Sequence, residues 1–176
     1  MRIAVLALAA ACLSPLAAAA QSPAPAAPTR LPTPGGAVIL PGVPEQRNHD
    51  LVHFASVRTA GDFVFVSGVI AGPGVKGRTD EESFKEGVRR AFRTIERNLA
   101  AAGVGFGDVV EIQTFHVWNS PAFSGGRDAH FRAFSAAKDE FMKPPYSAWT
   151  AVGTTGLLAE DGLVEIKVTA YKRSER

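Results

Sequence analysis

The stretch from Asp80 to Ala102 constrains the fold more than any other part of the chain. Phe84, Val88, Ala91, Phe92, Ile95 and Leu99 recur at helical intervals. A helix of this length with one apolar stripe must be covered by another layer. Thr79 with Glu82 reads as a capping box, and Asp80, Glu81 and Glu82 suit the positive end of the helix dipole. Gly103 is placed to stop the helix. The opposite face carries Lys85, Arg89, Arg93 and Arg97 at intervals of four. Such a stripe suits phosphate binding. It also suits a solvated face laced by Glu81–Lys85 and Glu86–Arg90 pairs, and one helix face does not make a basic domain.

The covering layer is legible around this helix. Residues 51–58 and 62–70 are rich in Val and Phe and flank the turn Thr59-Ala60-Gly61-Asp62, a hairpin pattern closed by Gly72-Pro73-Gly74. Residues 108–118 alternate as a long strand, ended by Asn119-Ser120-Pro121. Residues 127–142 read as a second helix with Phe131, Phe134, Lys138 and Phe141 on one side, stopped by Pro144-Pro145. Residues 147–152 and 162–172 are the last strands, joined through Glu160-Asp161-Gly162. The order β-β-α-β-α-β-β predicts an α+β fold, one sheet with two helices on one face. The bare face of such a sheet needs cover, most simply from other copies of the chain.

The head differs in composition. Residues 1–28 are rich in alanine, and eight of the twelve prolines fall at or before Pro44. Arg2, the apolar run from Ile3 to Leu8, Pro15 and the Ala18-Ala19-Ala20 triplet read as an export signal cleaved after residue 20. Lipidation at Cys12 is the alternative, disfavoured by the short apolar run before it. Residues 21–47 read as a Pro/Ala-rich linker, in which Val38-Ile39-Leu40 is the part with burial value. The folded domain is then 48–176, in a periplasmic or secreted protein with no membrane segment in its mature form. The rest of the composition is ordinary: 46% hydrophobic, 20% charged and net charge +2. Removal of Cys12 leaves no thiol, which suits an oxidising compartment.

Several chemical motifs lack their context. His49-Asp50-Leu51-Val52-His53 resembles a zinc-protease motif, but that motif requires a helix and a third ligand, and the segment reads as strand. No metal or cofactor is expected. Ser67 is outside any nucleophile elbow. His116, Trp118 and Trp149 read first as core or interface residues.

Four stretches carry a family resemblance: FVFVSGVI at 63–70, the run from Phe84 through Asn119, Pro-Pro-Tyr-Ser at 144–147, and LVEIKVTAYKR at the close. From about Phe54 to Arg173 the chain resembles the RidA/YjgF family of enamine/imine deaminases. The resemblance implies a chorismate-mutase-like fold and a homotrimer with small-molecule clefts between subunits. It also implies that Ser67 lies at the cleft and that Glu165 activates the attacking water, these two being the catalytic candidates. Phe54 falls near the pocket mouth. Ser147 follows Tyr146, and Trp149 is a candidate cleft wall.

One departure matters. Tyr146 stands where active deaminases have Arg, whose planar fork pairs with the substrate carboxylate. A phenol offers one neutral hydrogen bond instead. The cleft is therefore expected to take a neutral or aromatic ligand, unless Arg58 or Lys167 supplies the cation. Lys167 is two residues beyond Glu165 on the same strand face. The expected activity is hydrolytic deamination of an enamine, imine or related small molecule. The alternatives are a non-catalytic binding trimer, and the endoribonuclease-like activity with which relatives have been labelled. Nucleic acid is the least favoured partner.

Overall fold

The computed structural model describes residues 27–72 and 79–172. The expected export signal, Cys12, the Pro73-Gly74 turn and Arg173 lie outside the described residues. Among the described residues, seven strands and three α-helices follow the order β1 (Thr29–Thr33), β2 (Gly36–Leu40), α1 (Val43–Val52), β3 (Val57–Ala60), β4 (Phe63–Ala71), α2 (Glu81–Ala102), β5 (Val109–His116), α3 (Gly126–Phe141), β6 (Ala148–Gly153) and β7 (Val164–Tyr171). The strands form one sheet in the order β1-β2-β3-β4-β7-β5-β6. Neighbours are antiparallel except β5 and β6, which run parallel and are joined through α3. From β3 onward the element order is the expected β-β-α-β-α-β-β.

The amphipathic pattern of α2 is realised as read. Phe84, Val88, Phe92, Ile95 and Leu99 are fully buried. They pack with Val64 and Val66 of β4, Val164, Ile166 and Val168 of β7, and Phe134 of α3 in one core. Gly103 ends the helix at φ 80°, a left-handed conformation that costs glycine little. The N-terminal cap differs. Asp80, not Thr79, holds it, its carboxylate accepting from Ser83 N at 2.8 Å. Thr79 is occupied with the segment before α3: its amide donates to Ala122 O at 2.7 Å, and its carbonyl accepts from Ser124 N at 3.1 Å.

The N-terminal boundary is corrected. Within the segment read as a linker, residues 29–40 form a hairpin that extends the sheet, through Val38↔Arg58 and Ile39↔Val57 pairing. Ile39 is 0% exposed. The prolines that suggested a solvated chain are compatible with this placement. Pro32 lies on β1, the edge strand, where a missing donor is tolerated. Pro34 precedes Gly35, whose φ of 72° makes the turn. A Cβ on Gly36 would lie 2.0 Å from Thr59 O, so the backbones approach as only glycine permits.

The expected strand at 51–58 is also corrected. Its first residues end α1, a third helix that the two-helix expectation lacked, and only Val57 onward is strand. Pro44 at the start and His53 at φ 60° at the end delimit the helix. Leu51 and Val52 misled because they are apolar yet solvent-exposed. Glu45 of α1 pairs with Arg97 of α2 at 2.7 Å, tying the short helix to the long one.

Candidate active site

The residues singled out by sequence fall in three places within one chain. The first lies on the sheet face opposite the helices. In β7, Val164, Ile166 and Val168 are buried toward α2, so Glu165 and Lys167 point the other way. Glu165 sits opposite Ile70 of β4 and Phe115 of β5, and Lys167 sits opposite Gln113. Both line a cleft of about 320 Å³ with Gly68, Phe115, Leu157 and Leu158. A Cβ on Gly68 would lie 1.8 Å from Glu165 Oε1. The Ser-Gly pair thus makes room for the carboxylate, at a break in the β4–β7 register between Val66 and Val69.

Ser67 and Phe54 occupy a second, smaller cavity of about 210 Å³, shared with Glu45, Asn48 and Asn98. Gly68 lines both cavities and separates them. The Ser67 hydroxyl donates to Ala55 O at 2.6 Å, and its amide donates to Ser56 O at 3.0 Å. Ser67 therefore braces the bulge beside Glu165. Asn98 Oδ1 is buried here without a hydrogen-bond partner. Sequence reading missed Asn98, although its polar side chain interrupts the apolar face of α2.

Tyr146, Ser147 and Trp149 form the third place, a cleft of about 370 Å³ completed by Ile112, Lys138, Asp139 and Met142. Tyr146 is 70% exposed. Trp149 faces the helix layer: its indole donates to Thr114 Oγ1 at 3.0 Å, and its ring stacks on Phe131 of α3. Lys138 holds its ammonium 5.0 Å above the Trp149 ring and 2.5 Å from Asp139 Oδ1. Its position on the apolar side of α3 was the signal for this buried cation. In one chain this cleft shares no lining residue with the Glu165 cleft. Arg58 lines none of the three: its guanidinium donates to the Thr33 hydroxyl of the N-terminal hairpin. Within one chain it is a contact between β3 and the N-terminal hairpin.

The basic stripe of α2 is largely neutralised. Arg89 meets Glu140 at 2.7 Å and also contacts Glu82 and Glu86, Arg93 meets Glu86 at 2.5 Å, and Arg97 meets Glu45. These pairs replace the Glu81–Lys85 and Glu86–Arg90 pairs anticipated from spacing. Arg89 in turn holds the Glu140 carboxyl below its ordinary range.

The end of β5 and α3 contribute a buried histidine pair. His116 Nδ1 is 3.1 Å from His130 Nε2, and His116 Nε2 is 2.8 Å from Thr114 Oγ1. Burial pushes His116 down to about 3, assisted by the neighbouring His130, and burial pushes His130 down to about 4. Both are neutral packing groups near pH 7. The His49–His53 motif is helical up to Val52, contrary to the strand reading. Among the described residues, no three His, Cys, Asp or Glu side chains are grouped to hold a metal ion. No helix among them is long and apolar enough to cross a membrane.

Comparison with known proteins agrees with this architecture. A family model described as Endoribonuclease L-PSP matches residues 45–172. RutC family protein YjgH of Escherichia coli (strain K12) is 38% identical over 117 residues, covering 66% of this chain and 79% of that protein. A solved structure of protein YJGH superposes with a TM-score of 0.56 at 31% identity, over 72% of this chain and 89% of that one. RidA from an Antarctic Psychrobacter shares the fold alone, with a TM-score of 0.54 at 22% identity, over 67% of this chain and 87% of that one. With a match spanning most of the chain and the same single sheet under its helices, the chain belongs to the RidA/YjgF family, the endoribonuclease L-PSP family of the matching model.

Proposed function

We propose that the protein is an exported, homotrimeric hydrolase that deaminates a small enamine or imine at clefts between subunits. The observation that carries this reading is Glu165. It is a carboxylate on the open sheet face, given room by Gly68, in a cleft with apolar walls and Lys167. That environment suits a general base. Water adds to the imine carbon as Glu165 takes its proton, and the C=N electron pair moves to nitrogen. Glu165 returns the proton to nitrogen, giving a carbinolamine. A second pass of a proton from the hydroxyl through Glu165 to nitrogen releases ammonia and leaves a carbonyl. Lys167 sets the field around the carboxylate, and Ser67 fixes the bulge that positions it.

Trimerisation accounts for the divided site. Tyr146, Ser147 and Trp149 line a different cleft from Glu165 within one chain, and a neighbouring subunit would bring the two sets together. Phe63, Phe65, Val152 and Tyr171 are large hydrophobic residues left exposed, apolar surface suited to burial between copies. Tyr146 favours a neutral or aromatic substrate over a 2-imino acid. Export rests on the Ala-rich head and places the mature protein in the periplasm or outside the cell.

The test is ammonia release from 2-iminopropionamide and from 2-iminopropionate, each formed in situ. The amide is expected to react faster, and Glu165→Gln is expected to slow it roughly 100-fold. Tyr146→Arg should turn the preference toward the carboxylate. Tight binding of the amide without acceleration would instead establish a binding trimer. RNA cleavage draws support only from the family description, because Arg89, Arg93 and Arg97 of the α2 stripe already have carboxylate partners.

A further inference from the structure

At the β6 edge of the sheet, between the start of α3 and the end of β6, lies a cavity of about 520 Å³. It is lined by Trp118, Arg127, Asp128, Phe131, Arg132 and Ala151. It shares no lining residue with the clefts of Glu165, Ser67 or Tyr146. Its aromatic walls are held in place from behind. His116 stacks on Trp118 at 4.2 Å and 4° between planes. A Cβ on Gly153 would lie 2.4 Å from Trp118 Nε1, so the indole seats directly against the β6 backbone. Phe131 stacks on Trp149 at 5.7 Å and 2°, yet is itself 42% exposed. Ala151 contributes only a methyl group. The result is a rigid shelf able to take a flat ring without reordering side chains.

The polar groups around it are unequal. The Arg132 guanidinium is shared with Glu81 at 3.2 Å. Asp128 lies at the exposed rim. Arg127 lies 5.5 Å from the Trp118 ring centroid, and that ring is its contact among the described residues. A guanidinium stacked on an indole keeps its N–H edge for an anion, and its planar fork matches a carboxylate.

We propose that this cavity is a second small-molecule site, for a planar aromatic carboxylate. The ring lies on the exposed side of Phe131 against the edge of Trp118, and the carboxylate pairs with Arg127, which covers the indole face that His116 leaves open. Aromatic stacking alone would accept neutral rings equally, so the carboxylate contact with Arg127 supplies the discrimination.

The test uses 2-naphthoate added to the purified protein, followed through the two indole N–H resonances, assigned with Trp149→Phe. A saturable shift of the Trp118 resonance at millimolar naphthoate is expected. Arg127→Ala, an exposed substitution that leaves the core intact, should weaken binding roughly tenfold or more, the scale of a charge-assisted pair. Neutral 2-naphthalenemethanol should bind more weakly by a similar factor, and Tyr146→Ala should leave naphthoate affinity unchanged. The proposal is overturned by the absence of a saturable shift, by equal affinity of Arg127→Ala, by equal affinity for the alcohol, or by loss of binding in Tyr146→Ala.

Discussion

Gly68 and the His116–His130 pair show how single residues set the chemistry of this chain. Gly68 has no side chain, and Glu165 occupies the space that one would fill. The two histidines act instead on stability. Unfolded histidine titrates near 6.5, whereas the folded values fall to about 3 and about 4. The unfolded chain therefore binds more protons once pH drops below about 6.5. The stabilisation is complete above that pH and is lost as pH falls toward the folded values. Each histidine then contributes a decline approaching about 1.4 kcal/mol per pH unit. Urea unfolding between about pH 7 and pH 5, above the ordinary carboxylate range, should show this decline. His130→Gln, which keeps a buried polar group but cannot titrate, should roughly halve it, since His116 still titrates; an equally steep decline in that variant would remove His130 as a cause.

At the scale of elements, the β1–β2 hairpin is the least expected part of the fold. A proline-rich composition argues for a solvated chain, and that argument failed because Pro32 lies on an edge and Pro34 enters a turn. The strength of the hairpin's attachment is measurable. Ile39 is fully buried within the main core, so Ile39→Ala should cost about 2–5 kcal/mol in chemical denaturation. A linker residue would cost almost nothing. The α1 error has a related origin. Leu51 and Val52 resemble strand residues because an isolated apolar pair carries no period by itself, and their place on the exposed side of α1 explains them.

For the whole molecule, the open face of the sheet is where the proposed trimer is tested. Phe63 contacts Phe65 at 6.2 Å and Tyr171 at 5.4 Å, forming an exposed aromatic patch. Light scattering of the purified protein is expected to give the mass of three chains. Phe65→Glu should dissociate it, because a charge at the centre of an apolar interface is left unpaired. Deaminase activity should fall with the trimer, since Tyr146 and Glu165 line separate clefts in one chain. Monomeric protein with full activity would refute a site shared between subunits.

The sequence by itself determined the α2 helix, the element order from β3 to β7 and the outward direction of Glu165 and Lys167. Each follows from a local rule: the helical period, the two-residue strand period, or glycine and proline at ends. Ser67 and Tyr146 were found through short motifs in the right order. Tertiary structure alone decided where these side chains meet. It brought Gly68 against Glu165, set Lys138 beside Tyr146, tied Arg58 to the hairpin, and left Trp118 and Arg127 facing a separate cavity. Those outcomes depend on contacts between residues far apart in the chain, and no local period encodes which distant strand or helix will lie alongside.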